Sequence, residues 1–293
     1  MKRAVALGFF DGVHIGHGAL LRRTTEVSEK LSLSPCVMTY SNHPSSVLGE
    51  KSVPLINTAE ERASLISELY DISDIVIKDF TREYANLSVD EFFEQILISE
   101  LSAGYVVAGF DFRFGRGGEG DAKKLSELCA EHGLGCDIID EVTLDGEEVS
   151  SSHIRRLLED GDIFRANELL GHPHCTVSEI VHGQNLGTTL GFATANQSLS
   201  PEIIIPRRGV YVSRVTADGK TYPSITNIGT RPTVSDDGKV SVETHIFDFS
   251  GNLYGKKIKT EFIRFLREEK KFSTKDALLR QISQDVLAAR CEN

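Results

Sequence analysis

The chain has 293 residues, 40% hydrophobic and 26% charged, with a formal net charge of −11. That balance provides a core and excludes wholesale disorder, and the length favours two domains of about 100–200 residues each. So acidic a chain is poorly suited to nonspecific nucleic-acid binding, which needs clustered Lys and Arg.

The charge is uneven. Residues 1–174 carry 16 basic and 30 acidic side chains, and residues 175–293 carry 16 and 13. The change of sign points to two modules. No run approaches the roughly 20 apolar residues that cross a bilayer. The N-terminal Met1-Lys2-Arg3 and the apolar stretch ending at Asp11 read as a first strand, without the long apolar region of a signal peptide. Cys36, Cys129, Cys136, Cys175 and Cys291 are scattered, with no Cys-x-x-Cys. They read as reduced thiols of a cytosolic protein with neither a zinc site nor a disulfide framework.

Taken in chain order, short apolar runs at 4–8, 35–40, 72–77, 105–108 and 136–139 predict strands. Helical patterns at 19–31, 59–70, 89–101 and 122–132 separate them. Strand–helix alternation at this spacing predicts a parallel sheet with crossover helices, an α/β domain. Two more helices are expected at 152–159 and 163–170. Gly171-His172-Pro173-His174 then breaks the pattern and places a boundary between 172 and 173. Beyond it, β-rich runs at 176–181, 209–216, 222–228, 240–249 and 256–266 are divided by turn residues, with Asp218-Gly219 and Asp237-Gly238 as hairpin signals. A terminal amphipathic helix at 273–289, with Ser273 as its N-cap, closes what reads as a compact β-barrel.

Three constellations carry chemistry. The first, Gly8-Phe9-Phe10-Asp11-Gly12-Val13-His14-Ile15-Gly16-His17, joins the first strand to a helix. A helix start offers unpaired N–H groups and partial positive charge, and two imidazoles add donors for charge developing on a phosphate. A metal pair is disfavoured because no third ligand is evident. The second, Ser150-Ser151-Ser152-His153-Ile154-Arg155-Arg156, opens a later helix. By itself it reads as a cap; beside the first motif it offers an arginine for a triphosphate. The third comprises Gly187 to Asn196, the Asn227–Thr233 segment and the strand around Glu243. A Gly-rich loop can wrap phosphates, Thr and Asn oxygens suit Mg²⁺, and a strand carboxylate can accept a proton from an alcohol. Gly115–Gly120 also satisfies the Rossmann pattern Gly-x-Gly-x-x-Gly, but it lies late in the domain instead of after the first strand.

In combination these motifs resemble the bacterial bifunctional riboflavin kinase/FAD synthetase family. His-x-Gly-His with Ser-Ser-Ser-x-Ile-Arg is similar to the nucleotidyltransferase superfamily, and Gly109-Phe110-Asp111-Phe112-Arg113-Phe114-Gly115 resembles the flavin-site segment. The resemblance implies a Rossmann-like nucleotidyltransferase α/β domain at 1–172 and a riboflavin-kinase-like β-barrel with a terminal helix at 173–293. It implies phosphorylation of riboflavin by the second and adenylylation of FMN to FAD by the first, with ATP, riboflavin and FMN as substrates, Mg²⁺ as cofactor, and neither nucleic acid nor membrane as partner. His14, His17, Arg155 and Glu243 become the expected catalytic residues. Gly8, Phe9, Phe10, Gly16, Ser151, Gly187, Gly191, Thr194 and Asn196 are expected at ATP, Thr194 and Asn196 also at the metal, and Asp111, Phe112, Arg113 and Arg267 at flavin.

The chain departs from the family pattern in places. Ala193 stands where Pro is usual, Thr188 where Arg is usual, Ser152 and His153 where Thr and Arg are usual, and Phe9 where Asn is common. Because Thr188 and Ala193 fall in the kinase loop, an adenylyltransferase with a weakened kinase is the alternative. A non-enzymatic flavin-binding protein and a nicotinamide-dependent oxidoreductase are further readings.

Overall fold

The computed structural model describes residues 1–49, 53–181, 194–230, 240–270 and 272–290. The chain divides into two compact units, Met1–His153 and Ile154–Asn293.

In the first unit, strands β1 (Arg3–Leu7), β2 (Ser34–Tyr40), β3 (Asp74–Lys78), β4 (Ala103–Gly109) and β5 (Gly135–Ile139) form a parallel sheet in the order β3-β2-β1-β4-β5. Residues Ala4 to Leu7 are at most 1% exposed, which is why β1 reads as an unbroken apolar run. Between β1 and β4 the described residues form helices α1 (Ile15–Leu31), α2 (Pro44–Leu48), α3 (Ala59–Tyr70), α4 (Arg82–Ala85) and α5 (Val89–Glu91). The last continues over Phe92–Glu100 with wider π-type turns. After β4 come a 3₁₀ turn (Arg116–Gly118), helix α6 (Ala122–Glu131) and, past β5, a small hairpin of β6 (Thr143–Leu144) and β7 (Glu147–Glu148). Val5, Leu7, Met38, Val106 and Ala108 pack with Phe92, Phe93, Leu97, Leu125 and Cys129 in one core. Strand order reverses beside β1, between β2 and β4. The carboxyl ends of strands at such a switch point open a crevice for ligands.

Helix α7 (Ser151–Asp160) spans the division between the units, and α8 (Ile163–Leu170) follows. Asn167 ties α8 to the second unit's sheet. Its amide donates to the Phe262 carbonyl (2.9 Å) and its oxygen accepts from the His174 N–H (2.7 Å).

The second unit is a closed antiparallel barrel of six strands. These are β8 (His174–Val181), β9 (Thr194–Ser198), β10 (Gly209–Ala217), β11 (Lys220–Thr230), β12 (Val240–Ile246) and β13 (Lys257–Arg267), in the order β10-β11-β12-β9-β8-β13. Asp218 and Gly219, both at positive φ, make the tight turn between β10 and β11 that the Asp-Gly pair predicts. The second expected turn, Asp237-Gly238, lies outside the described residues. Helix α9 (Lys275–Arg290) packs across the barrel, with Ala289 against Val210, Val212, Ile225 and Phe247. Its cap is Thr274, not Ser273 as expected: the Thr274 hydroxyl accepts from the Ala277 N–H (3.2 Å).

The barrel interior holds a polar layer to which all six strands contribute. Gln197 accepts from Ser178 (2.7 Å) and Thr260 (3.2 Å) and donates to Thr244 (2.6 Å). Thr244 continues to Thr226, Ser213 and Ser224 through contacts of 2.8 Å. A buried network satisfied this fully penalises loss of its hub. Gln197→Leu is therefore expected to destabilise the second unit by about 1–3 kcal/mol, because it takes the acceptor from the buried Ser178 and Thr260 hydroxyls and a donor from Thr244. Urea titration followed by circular dichroism measures the loss.

Candidate functional sites

The first site is built on the turn after β1. Phe10 (φ 56°) and Val13 (φ 46°) adopt left-handed backbone, which costs of order 1–3 kcal/mol at each non-glycine position. The turn is held from several sides. The Asp11 carboxylate accepts the N–H groups of Ile56 and Asn57 (3.0–3.2 Å), and the Ser151 hydroxyl donates to the Asp11 carbonyl (2.9 Å). The Thr39 hydroxyl donates to the Phe9 carbonyl (2.8 Å). This bracing delivers the chain to α1 with His14 as its N-cap, the ring Nδ1 accepting from the His17 N–H (3.2 Å).

The His14 and His17 rings stack with centres 3.5 Å apart and planes 17° from parallel. A side chain at Gly16 would press on the His14 ring, its Cβ falling 3.1 Å away. Burial first, then the electrostatic influence of His14 and of the Arg62 charge, holds His17 well below the usual imidazole value. His17 is therefore neutral near pH 7, and its Nδ1 has no hydrogen-bond partner. Two imidazoles at the N-terminus of a 17-residue helix make an anion site whose donors can follow developing charge.

Beside this turn lies a cavity of about 630 Å³ lined by Gly8, Phe9, Tyr40, Phe80, Tyr84, Phe92, Phe112, Arg113 and Phe114, with Gly115, Gly117 and Gly118 at its edge. Aromatic rings dominate the wall, as suits a flat heteroaromatic ligand. The Tyr40 and Tyr84 hydroxyls are 3.2 Å apart, and burial pushes Tyr40 up to about 12 and Tyr84 higher, so both keep their protons. The Gly-rich segment that satisfies the dinucleotide pattern thus borders an aromatic cavity beyond β4, not a phosphate loop after β1.

The expected residues distribute as follows. Gly8, Phe9, Phe112 and Arg113 share the cavity wall, and Asp111 sits on the exposed turn leading into it. Phe10 is fully buried, edge-on to His17 at 5.2 Å. Ser151 stands in the first turn of α7, and Arg155, 8% exposed, in its second turn. Three contributors escape sequence reasoning: the Asp11 brace, the buried Arg62, and the Tyr40–Phe80–Tyr84 aromatic group. Asp-Gly after a strand hints at the first; the others have no local signal.

The second site lies on the outer face of the barrel. β9 pairs with β12 so that Asn196 faces Glu243 and Thr194 faces His245, and β11 sets Asn227 on the other side of Glu243. Glu243 thus sits in a row between two carboxamides. Two cavities open here. One, of about 360 Å³, runs between this face and α9 and is lined by Asn227, Glu243, Arg267, Phe272, Leu278, Ile282 and Asp285 among others. The other, of about 330 Å³, is lined by Ile180, Ala195, Asp248, Phe249, Asn252 and Tyr254 among others. Thr194 and His245 line both. Arg267 is held by bidentate bonds to Asp285 (2.6–3.1 Å) and donates to the Glu268 carbonyl (2.9 Å), so it forms a rigid part of the first cavity's wall. Gly187 and Gly191, with Thr188 and Ala193, lie outside the described residues.

Among the described residues no group of three or more His, Cys, Asp or Glu could hold a metal ion. The Thr194 hydroxyl, the Asn196 amide and a nearby carboxylate are hard oxygen donors. They fit a magnesium ion that takes most of its ligands from substrate phosphates and water.

Comparison with known proteins bears on both units. A family model described as FAD synthetase matches residues 1–153, and one described as riboflavin kinase matches residues 170–292. The chain is 36% identical over 288 residues to a Bacillus subtilis protein named bifunctional riboflavin kinase/FMN adenylyltransferase, covering 97% of this chain and 90% of that one. A protein of the same name from Escherichia coli K12 is 34% identical over 288 residues, covering 98% and 91%. A Streptococcus pneumoniae crystal structure titled macrolide-efflux protein superposes with a TM-score of 0.87 at 30% identity, covering 99% of this chain and 94% of that one. Among the described residues no helix is long and apolar enough to cross a membrane.

Proposed function

Because the chain belongs to the bifunctional riboflavin kinase/FMN adenylyltransferase family, we propose that its barrel converts riboflavin and ATP to FMN and its α/β unit converts FMN and ATP to FAD and pyrophosphate. One observation carries the kinase assignment: Thr194 and His245 line two adjoining cavities, with Glu243 opening into one of them. That layout suits a nucleotide on one side, an alcohol on the other, and a shared wall where the phosphoryl group passes. The two family models and the curated relatives all name flavin chemistry, and their agreement outweighs the one structure titled for efflux.

In the barrel, Glu243 accepts the proton of the ribityl 5′-hydroxyl as its oxygen attacks the γ-phosphorus of ATP. Thr194 and Asn196 would hold Mg²⁺, and Gly187 and Gly191 are expected at the ATP phosphates. Mg²⁺ when bound neutralises phosphate charge. The protein's remaining task is positioning, which dominates phosphoryl transfer. The wall bearing Arg267 orients the flavin ring against α9.

In the α/β unit, Phe112 and Arg113 hold FMN in the aromatic cavity with Asp111 at its mouth. Gly8, Phe9, Phe10, Gly16 and Ser151 shape the ATP site by backbone and turn geometry. An FMN phosphate oxygen attacks the α-phosphorus and pyrophosphate leaves. The nucleophile is already ionised, so no base is needed. His14, His17 and Arg155 stabilise the transition state and the leaving group. We place the functional boundary at 172/173, between the end of α8 and the first barrel strand, and the enzyme in the cytoplasm, where ATP and flavins are soluble substrates.

Product chromatography with Mg²⁺ and ATP tests the reading. Riboflavin is expected to yield FMN and then FAD, and supplied FMN to yield FAD. FAD from FMN without FMN from riboflavin would favour the reading with a weakened kinase, in which Thr188 and Ala193 have cost the barrel its activity. Absence of both products would refute enzymatic flavin chemistry altogether.

A further inference from the structure

Helix α3 carries a cation that the mechanism above does not use. Arg62 is fully buried. One end of its guanidinium donates to the Tyr40 carbonyl, and its central carbon lies 4.3 Å from the centre of the Phe9 ring. Its Nη1 is 3.9 Å from the Asp11 carboxylate, beyond hydrogen-bonding distance, while that carboxylate is engaged by Ile56 and Asn57. Nε and Nη1 have no hydrogen-bond partner. A buried charge short of partners is costly, and an apolar side chain of similar volume would pack this site more favourably. Its placement is better explained by what it touches. Phe9 lines the aromatic cavity and Arg62 backs it without lining the cavity itself.

We propose that Arg62 is a positioning residue of the adenylyl-transfer site: a fixed cation behind the phosphate turn that locks Phe9 and Asp11 and favours the ATP triphosphate without touching it. The inference rests on the adenylyltransferase reading of this unit. The charged groups around His17 support it. His14 stacks on the ring from the start of α1, and the Arg62 charge acts on it from α3. Arg62 in turn feels Asp11 from the turn and Glu60 and Glu61 on its own helix. The Arg62 charge opposes protonation of His17, so removing it shifts the His17 titration to higher pH.

Arg62→Gln, which removes the charge and keeps a polar donor, and Arg62→Lys, which retains charge, test this in the full chain. In Arg62→Gln, FAD formation from FMN is expected to fall about tenfold or more, chiefly in kcat. In ¹⁵N-histidine-labelled protein the His17 ring is expected to titrate at higher pH than in the wild type. Arg62→Lys is expected to restore the wild-type titration and part of the rate. An unmoved His17 titration in Arg62→Gln, or the same titration in both variants, would reduce Arg62 to a packing residue. If Arg62→Gln does not fold, Arg62→Lys decides: a wild-type His17 titration with lowered kcat supports the proposal, and a shifted titration overturns it. Absence of FAD formation by the wild type would instead defeat the underlying enzymatic reading, and the His17 titration separates the two failures.

Discussion

Glu243→Gln is expected to lower riboflavin phosphorylation by about 10²–10⁴-fold, the range for loss of a general base, while FAD formation from supplied FMN continues at the wild-type rate. The substitution preserves shape and removes only the capacity to hold a proton. Glu243 lies on the outer face of β12, between Asn196 on β9 and Asn227 on β11, and opens into the cavity beneath α9. A glutamine there can still hydrogen-bond its neighbours, so the barrel should keep its stability and its affinity for riboflavin. The loss should appear in kcat with little change in KM. A coupled assay of ADP release begun from riboflavin and one of pyrophosphate release begun from FMN resolve the two activities. A decrease below tenfold would mean that the 5′-hydroxyl loses its proton without Glu243 and that positioning alone carries the transfer.

The elements that the sequence predicts most sharply are those whose local chemistry and burial agree. Helix α3 begins where Thr58 and Glu61 form a reciprocal capping box and ends at Tyr70, as the pattern predicts. Strand β1 is legible because both its faces are covered. Strand β9 escaped. Thr194-Ala195-Asn196-Gln197-Ser198 contains little apolar material, because Gln197 belongs to the polar layer inside the barrel and Thr194 and Asn196 to the site outside it. A strand polar on both faces has no alternation to read. Helices α2 and α4 are too short for periodicity to mark. The C-terminal run read as reaching Phe249 ends at Ile246, where Phe247 turns to donate its N–H to the Pro223 carbonyl and Asp248 takes positive φ.

The sites divide along the same line. Residues contributed by one continuous segment, such as Gly8 to His17 or Phe112 with Arg113, are visible as motifs. Residues that meet only because strand order reverses beside β1 are not. Tyr40, Phe80 and Tyr84 come from the end of β2, the segment after β3 and α4, and nothing near them in sequence announces a shared cavity. Arg62 is the extreme case. On sequence it is one more charge on an amphipathic helix, and only its complete burial against Phe9 distinguishes it.

His17→Ala is expected to reduce FAD formation from FMN by about 10²–10³-fold, the cost of removing one preorganised donor to a transition-state oxygen, with riboflavin phosphorylation preserved. His14→Ala should cost about 10²-fold or more and for two reasons: the ring is itself a donor, and it caps α1 by accepting the His17 N–H. The pair therefore differ in a measurable way. His14→Asn, which retains a capping oxygen, should recover the stability lost in His14→Ala but not the rate. His17 caps nothing in the helix, so its removal should cost stability only through the lost packing of its ring on His14 and Phe10. Its depressed basicity also sets a pH signature. The ring is neutral at and above the usual imidazole value and gains a proton only well below it, so adenylyl transfer should show no acid limb from His17 near pH 6.5. An anion bound beside it raises its affinity for protons, so ATP binding should be accompanied by proton uptake that disappears in His17→Ala. Calorimetric titration in buffers of different ionisation enthalpy measures that uptake directly. Equal uptake in wild type and variant would show that another group takes the proton and that His17 does not meet the triphosphate.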